Sequence, residues 1–155
     1  KINIIKVDAK NLDKLKKIFL EIKPHIVIHL AAVSHADRSN KDPNRTFENS
    51  VLTLQNSLES SRIINPHFIF FSSSMVYGDF KKKSVKESAV CNPKGIYGTL
   101  KYCSELMIKS YSDVFGLKYT IVRPSALYGE RCISRRVGQI FIENAFWFSP
   151  FEKDW

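Results

Sequence analysis

Short apolar runs alternate with helix-spaced apolar residues along this chain, and that alternation restricts its fold more than any other feature. Ile2–Val7, Ile26–Leu30, Phe68–Phe71 and Tyr119–Val122 each read as a strand. Between the first two, Leu12, Leu15, Ile18, Phe19 and Ile22 mark one face of a helix. Phe47, Val51, Leu54 and Leu58 line a second helix, which opens at Asp42-Pro43 with Asp as cap and Pro at the first position. A long helix is predicted from about Ile96 to Phe115, closed by Gly116, and a last one from about Arg136 to Phe146. Ser72 to about Lys94 reads as loop, broken by Gly78 and by Lys81-Lys82-Lys83. Strand and helix in strict alternation predict an α/β fold, a parallel sheet with helices on both faces. Ligands of such sheets bind outside the carboxyl ends of the strands. Three polar segments follow strand ends here, Ala31–Ser39, Ser72–Gly78 and Arg123–Arg131, so the candidate chemistry falls on one rim.

Composition narrows the function classes. With 155 residues, 44% of them hydrophobic, the chain can bury one domain's core. No apolar run approaches the length of a membrane span, so no membrane partner is expected. No signal peptide is visible, and Lys1 stands where an initiator Met would, which suggests an N-terminal part upstream. The net charge of +9 comes from lysines scattered along the chain, without an aromatic-interleaved RNA-binding motif. A solvated basic surface is the expected reading, and no nucleic acid is expected as partner. Such a surface suits a polyanionic small molecule such as a dinucleotide. Cys91, Cys103 and Cys132 are odd in number and widely spaced, which fits a reducing cytoplasm and no disulfide framework. Neither they nor the four His show metal-ligand spacing, so no metal is expected.

Two Tyr/Lys pairs stand four residues apart, Tyr97/Lys101 and Tyr77/Lys81, where chance predicts about one. On a helix that spacing puts both side chains on one face. An ammonium about 5 Å from a phenol, at an effective dielectric of about 20, favours the phenolate by roughly 3 kcal/mol. Tyr97 and Lys101 sit in the first turns of the long helix, where the spacing has geometric meaning. Tyr77 lies just past a strand, before the turn signal Gly78-Asp79, and need not face Lys81. Ser72-Ser73-Ser74, at the carboxyl end of the preceding strand, can bring hydroxyls to the same rim.

Several segments, in order, resemble the extended short-chain dehydrogenase/reductases, which act largely on nucleotide sugars. They are His29-Leu-Ala-Ala32, then Asp42-Pro43 with Thr46 and Asn49, then Ser72-Ser-Ser-Met-Val-Tyr-Gly78. Glu87, Pro93, Tyr97-X3-Lys101 with Glu105, and Arg123-Pro-Ser-Ala-Leu-Tyr-Gly129 complete the series. The resemblance implies Tyr97 as base, Lys101 as its electrostatic partner and a ribose ligand, and Ser73 as donor to the reacting oxygen. It implies NAD or NADP against Asp8, Leu30, Ala31, Ala32, Ser72, Tyr97, Lys101 and Pro124. It places a nucleotide-sugar substrate near Ser34, His35, Ser74 and Arg131, with Arg38, Arg135 and Arg136 as weaker candidates. A homodimer is the implied assembly of the full-length protein. Ser74-Met75 stands beside the catalytic hydroxyl where 4,6-dehydratases usually carry acidic chemistry, which favours epimerisation or simple reduction over dehydration.

The resemblance is also incomplete. Six Gly are present, and none forms the Gly-rich phosphate turn. The first strand resembles the family's third, so strands one and two are expected upstream of Lys1 or not at all. The expected domains are a partial NAD(P)-binding Rossmann-like domain over residues 1–145 and an aromatic-rich tail over 146–155, ahead of the substrate lobe. The chain alone is expected to be inactive, and the alternative readings are a nucleotide-sugar 4,6-dehydratase, or a non-catalytic remnant or interaction module unable to bind cofactor. Ile26–Leu30 is expected to be an unprotected edge.

Overall fold

Three parallel strands carry the fold: β1 (Ile26–His29), β2 (His67–Phe71) and β3 (Tyr119–Val122), in the order β1-β2-β3. The computed structural model describes residues 2–34, 36–80, 84–125, 140–142 and 144–145. The chain divides into two compact units, Lys1–Arg123 and Pro124–Trp155. The first is a partial Rossmann-like α/β fold. In the second, residues 140–142 and 144–145 are helical, and the rest of the helix expected over 136–146 lies outside the described residues.

Local sequence explains most elements. Helix α1 (Leu12–Ile22) is capped by Asn11, whose side chain accepts from the Lys14 N–H at 3.0 Å. A short helix, α2 (Ala36–Lys41), begins inside the polar segment Ala31–Ser39, where no helix was expected. α3 (Pro43–Phe47) starts as expected, with Pro43 in the first turn and Asp42 accepting from the Arg45 N–H at 3.0 Å. The chain then runs through one π turn (Glu48–Leu52) into α4 (Thr53–Ile64). α5 (Gly95–Phe115) ends at Gly116, whose φ of +69° is open to glycine without strain.

Register fixes the faces. Val27, Phe68 and Tyr119 share one side of the sheet with His29, Phe70 and Ile121. On that side α4 and α5 supply Leu54, Leu58 and Ile108, which close a core with Phe68, Phe70 and Leu117. Each such side chain, fully buried, contributes about 1.5–3 kcal/mol. α1 packs on α4, whose Asn56 amide donates to the carbonyls of Ala9 and Lys10. The opposite side shows Ile26 and Ile28, each 57% exposed. The described helices that touch the sheet thus gather on one face.

The expected strand at Ile2–Val7 does not form. These residues are extended without a ladder, and Ile2 and Ile4 are almost wholly exposed. A strand exists through its partner's backbone groups, and none lies beside these residues among those described. Among the described residues β1 is likewise paired on one side alone, as expected of an edge.

Candidate active site

α5 grips the carboxyl end of β2 at two successive turns. Lys101 Nζ donates to the Phe71 carbonyl at 2.6 Å, and Glu105, one turn on, accepts from Ser72 Oγ at 2.5 Å. Both α5 side chains are buried, although Lys and Glu rarely are without a partner. The Lys101 ammonium stands 4.8 Å from the Phe70 ring centroid and 5.9 Å from that of Tyr97, so the expected pair does share a face. Burial lowers the Lys101 amine from 10.5 to about 8, and it remains mostly charged at neutral pH.

Gly98 sets how closely α5 meets the turn that follows Ser73. A Cβ there would lie 2.9 Å from the Met75 carbonyl oxygen and 3.4 Å from Pro93 Cβ. Ser73 caps the 3-10 turn Ser74–Tyr77, its Oγ accepting from the Met75 N–H at 3.2 Å. The hydroxyl proton of Ser73 is therefore left to donate elsewhere. Asn40 of α2 accepts from the Ile96 N–H at 3.2 Å, so the short helix absent from the sequence reading helps hold the start of α5.

One guanidinium ties the segment together. Arg123, just past β3, donates to both Glu105 oxygens, at 2.9 and 2.5 Å, in a fork geometry. Its third nitrogen donates to Tyr77 Oη at 2.7 Å and to the Glu87 carbonyl at 3.1 Å. The hydrogen bonds to Glu105 hold the guanidinium well above its usual range. Glu105, Arg123 and Glu87 stood in the motif series, yet no spacing rule joins residues so far apart in sequence. Tyr77, part of the Ser72–Gly78 segment and of the Tyr/Lys pair that was set aside, proves to be the phenol that Arg123 holds. Lys81, its other half, lies outside the described residues.

The loop after β1 forms the next stretch of rim. Leu30 is 66% exposed, Ala31 and Ser34 are exposed, and Ala32 is half-buried. Ser50, in the π turn, accepts from the Val33 N–H at 3.1 Å and pins this loop. His29, in register with Phe70, is buried against the Phe68 and Phe70 rings. Burial first, then the Lys101 charge, lowers its imidazole from 6.5 to about 4, against a hydrogen bond with the Ala31 backbone. Its Nε2 is buried without a partner. Asp8 is exposed and accepts from the Lys10 N–H at 2.9 Å, a local turn apart from these contacts. Ser74 is half-buried in the turn beside Ser73, and Arg38 is exposed on α2. Pro124 opens the second unit, and His35, Arg131, Arg135 and Arg136 lie outside the described residues. No metal-ligand cluster forms among the described residues, and no described helix is long and apolar enough to cross a membrane.

A parallel sheet whose rim holds a buried lysine under a tyrosine, beside a serine-rich strand end, defines a Rossmann-like domain of the dehydrogenase/reductase type. The chain belongs to the NAD dependent epimerase/dehydratase family, which it matches over residues 1–145. It is 35% identical over 134 residues to a putative UDP-glucose 4-epimerase of Methanocaldococcus jannaschii, covering 84% of this chain and 43% of that protein. Among solved structures, it resembles the UDP-glucose 4-epimerase of Thermotoga maritima with UDP-glucose. The TM-score there is 0.77, at 28% identity over 81% of this chain and 41% of that one. The Brucella ovis UDP-glucose 4-epimerase in complex with NAD gives a TM-score of 0.74, at 29% identity over 77% and 37%. Dehydratases and reductases stand among the other matches. The chain spans about two fifths of the length of the curated relatives it matches.

Proposed function

We propose that this chain is the catalytic, nicotinamide-facing part of an NAD(P)-dependent nucleotide-sugar epimerase, or of a related reductase. The observation that carries this reading is Lys101, a buried ammonium tethered to the Phe71 carbonyl and placed 5.9 Å from the Tyr97 ring. A lysine on a mere helix surface would extend into water.

The residues present fit one half of the cofactor. Lys101 spends one of its three N–H donors on Phe71, which leaves donors for a ribose. Leu30 and Ala31, both exposed, and Ala32, half-buried, continue the same rim past β1. The sequence holds no Gly-rich turn for the pyrophosphate, so that half would be held by chain beyond this segment. Bound there, NAD(P) supplies the hydride acceptor. The Lys101 charge favours the phenolate of Tyr97, which takes the proton of the sugar hydroxyl and becomes the neutral phenol. Ser73, its Oγ already accepting from the Met75 N–H, donates its own proton to the reacting oxygen. Met75 cannot transfer a proton, which supports epimerisation or reduction over dehydration. Residues 1–145 would form the cofactor domain of a cytoplasmic enzyme, homodimeric at full length, with Ser34, His35, Ser74 and Arg131 toward the substrate.

The test is a full-length protein offered UDP-, dTDP-, GDP- and CDP-sugars with NAD or NADP. Sugar interconversion, abolished by Tyr97→Phe and reduced at least about 100-fold by Lys101→Met, is expected. Interconversion that survives Tyr97→Phe, or no turnover and no cofactor binding with any of these sugars, overturns the reading.

A further inference from the structure

Glu105 and Arg123 together fasten both ends of the segment that carries Ser73. At its start, Ser72 Oγ donates to Glu105 at 2.5 Å. At its end, Tyr77 Oη accepts from Arg123 at 2.7 Å. The fork between Glu105 and Arg123 closes the circuit, at 2.9 and 2.5 Å. Between the two ends the chain makes the 3-10 turn Ser74–Tyr77, capped by Ser73. The turn's own bonds are long. The Met75 N–H donates to Ser73 Oγ at 3.2 Å, the Val76 N–H to the Ser73 carbonyl at 3.3 Å, and the Gly78 N–H to the Met75 carbonyl at 3.2 Å. Strong N–H···O bonds cluster near about 2.9–3.0 Å, and charge-assisted ones are shorter. The turn is therefore weakly held from within and tightly held from outside.

The helix that carries Tyr97 provides that hold. Gly98, Lys101 and Glu105 are three and four residues apart, on one face of α5. Gly98 meets the Met75 carbonyl, Lys101 holds the Phe71 carbonyl and Glu105 holds Ser72. The network also sorts the serines. The Ser72 proton is committed to Glu105, whereas Ser73 Oγ accepts from the Met75 N–H and keeps its own proton to give.

We infer that Glu105 and Arg123 are positioning residues for the Ser73 hydroxyl: acting through Ser72 and Tyr77, they aim it at the oxygen from which Tyr97 takes the proton. This rests on the function proposed above. An apolar pair could replace a buried ion pair at little cost in stability, but it could not hold a hydroxyl at each end of the turn. A displacement of about 1 Å in such a group can slow a reaction about 100-fold.

Tyr77→Phe releases one end and leaves the buried ion pair intact. In the full-length protein, with nucleotide sugar and NAD(P), it is expected to lower kcat about tenfold. The cofactor dissociation constant should stay unchanged, since Lys101 keeps its anchor on Phe71. Glu105→Leu with Arg123→Met releases both ends, and kcat should fall about 100-fold although the apolar pair preserves the packing. Hydrogen exchange, read by mass spectrometry over residues 73–78, needs no turnover. In Tyr77→Phe the turn should exchange about tenfold faster, with residues 67–71 at the parent rate. Unchanged exchange in the turn overturns the inference. So does a parental kcat in either variant, which would leave the pair a structural role alone. A parent that turns over no sugar overturns the proposed function instead, and faster exchange in Tyr77→Phe would still uphold the grip of Arg123 on the Ser73 turn.

Discussion

The α-carbon of Gly98 faces the carbonyl oxygen of Met75 so closely that a Cβ would stand 2.9 Å from it. The neighbour is backbone, which cannot swing aside as the end of a side chain can. Gly98 lies between Tyr97 and Lys101, so this approach determines how the tyrosine's helix meets the turn that Ser73 caps.

Gly98→Ala is therefore expected to destabilise the fold by about 1–3 kcal/mol, although alanine is the better helix former. Urea unfolding of parent and variant measures this. A variant as stable as the parent would show that the turn yields freely. In an active full-length protein the same change should lower turnover more than cofactor affinity, since Lys101 keeps its own anchor on Phe71.

Glu105 is wholly buried and is bonded to Arg123 and Ser72. Glu105→Ala leaves the guanidinium uncompensated, which should destabilise by about 3–5 kcal/mol. Removing both charges with Glu105→Leu and Arg123→Met should recover much of that loss. Equilibrium denaturation of Glu105→Leu, Arg123→Met and the double forms the cycle, and additive losses would contradict coupling between them.

Two buried basic side chains make stability depend on pH in opposite ranges. The His29 imidazole titrates near 4 in the folded chain against 6.5 as the ordinary value. Above pH 6.5 both states are neutral there and His29 has no effect. As pH falls toward 4, the unfolded state takes up a proton that the folded state refuses, and stability drops by about 3 kcal/mol. Lys101 titrates near 8 against 10.5, so its penalty is full below pH 8 and is relieved as pH rises to 10.5, again by about 3 kcal/mol. Denaturation midpoints of parent minus His29→Phe across pH 7 to 4, and of parent minus Lys101→Met across pH 7 to 10.5, isolate each contribution. A flat difference in either range removes that residue from the account.

Among the described residues the outer side of β1 is unpaired, and Ile26, Ile28 and Leu30 are more than half exposed. The 155-residue polypeptide by itself is expected to be marginally stable and to aggregate as concentration rises. Ile28→Lys should reduce light scattering without lowering stability, since the side chain is already in water. A sharp, reversible thermal transition of a monomeric sample would count against this prediction.

Periodicity and caps are local properties, and where they decide the structure the sequence was sufficient. Tyr119–Val122 is a strand residue for residue, Asp42 caps the helix that opens at Pro43, and Gly116 closes α5. The spacing of Tyr97 and Lys101, with Ser73 at a strand end, likewise needed no coordinates. Tertiary structure decided the rest, because it depends on partners remote in sequence. Residues 2–7 have a strand's composition but no neighbouring ladder, and they stay extended. α2 lacks an apolar stripe and is held by its packing on α3 and α5. The burial of His29, the Phe71 carbonyl beneath Lys101, and the fork that joins Arg123 to Glu105 follow from how β2, β3 and α5 meet. Sequence thus named the groups proposed for the chemistry, whereas packing fixed which of them are desolvated and paired.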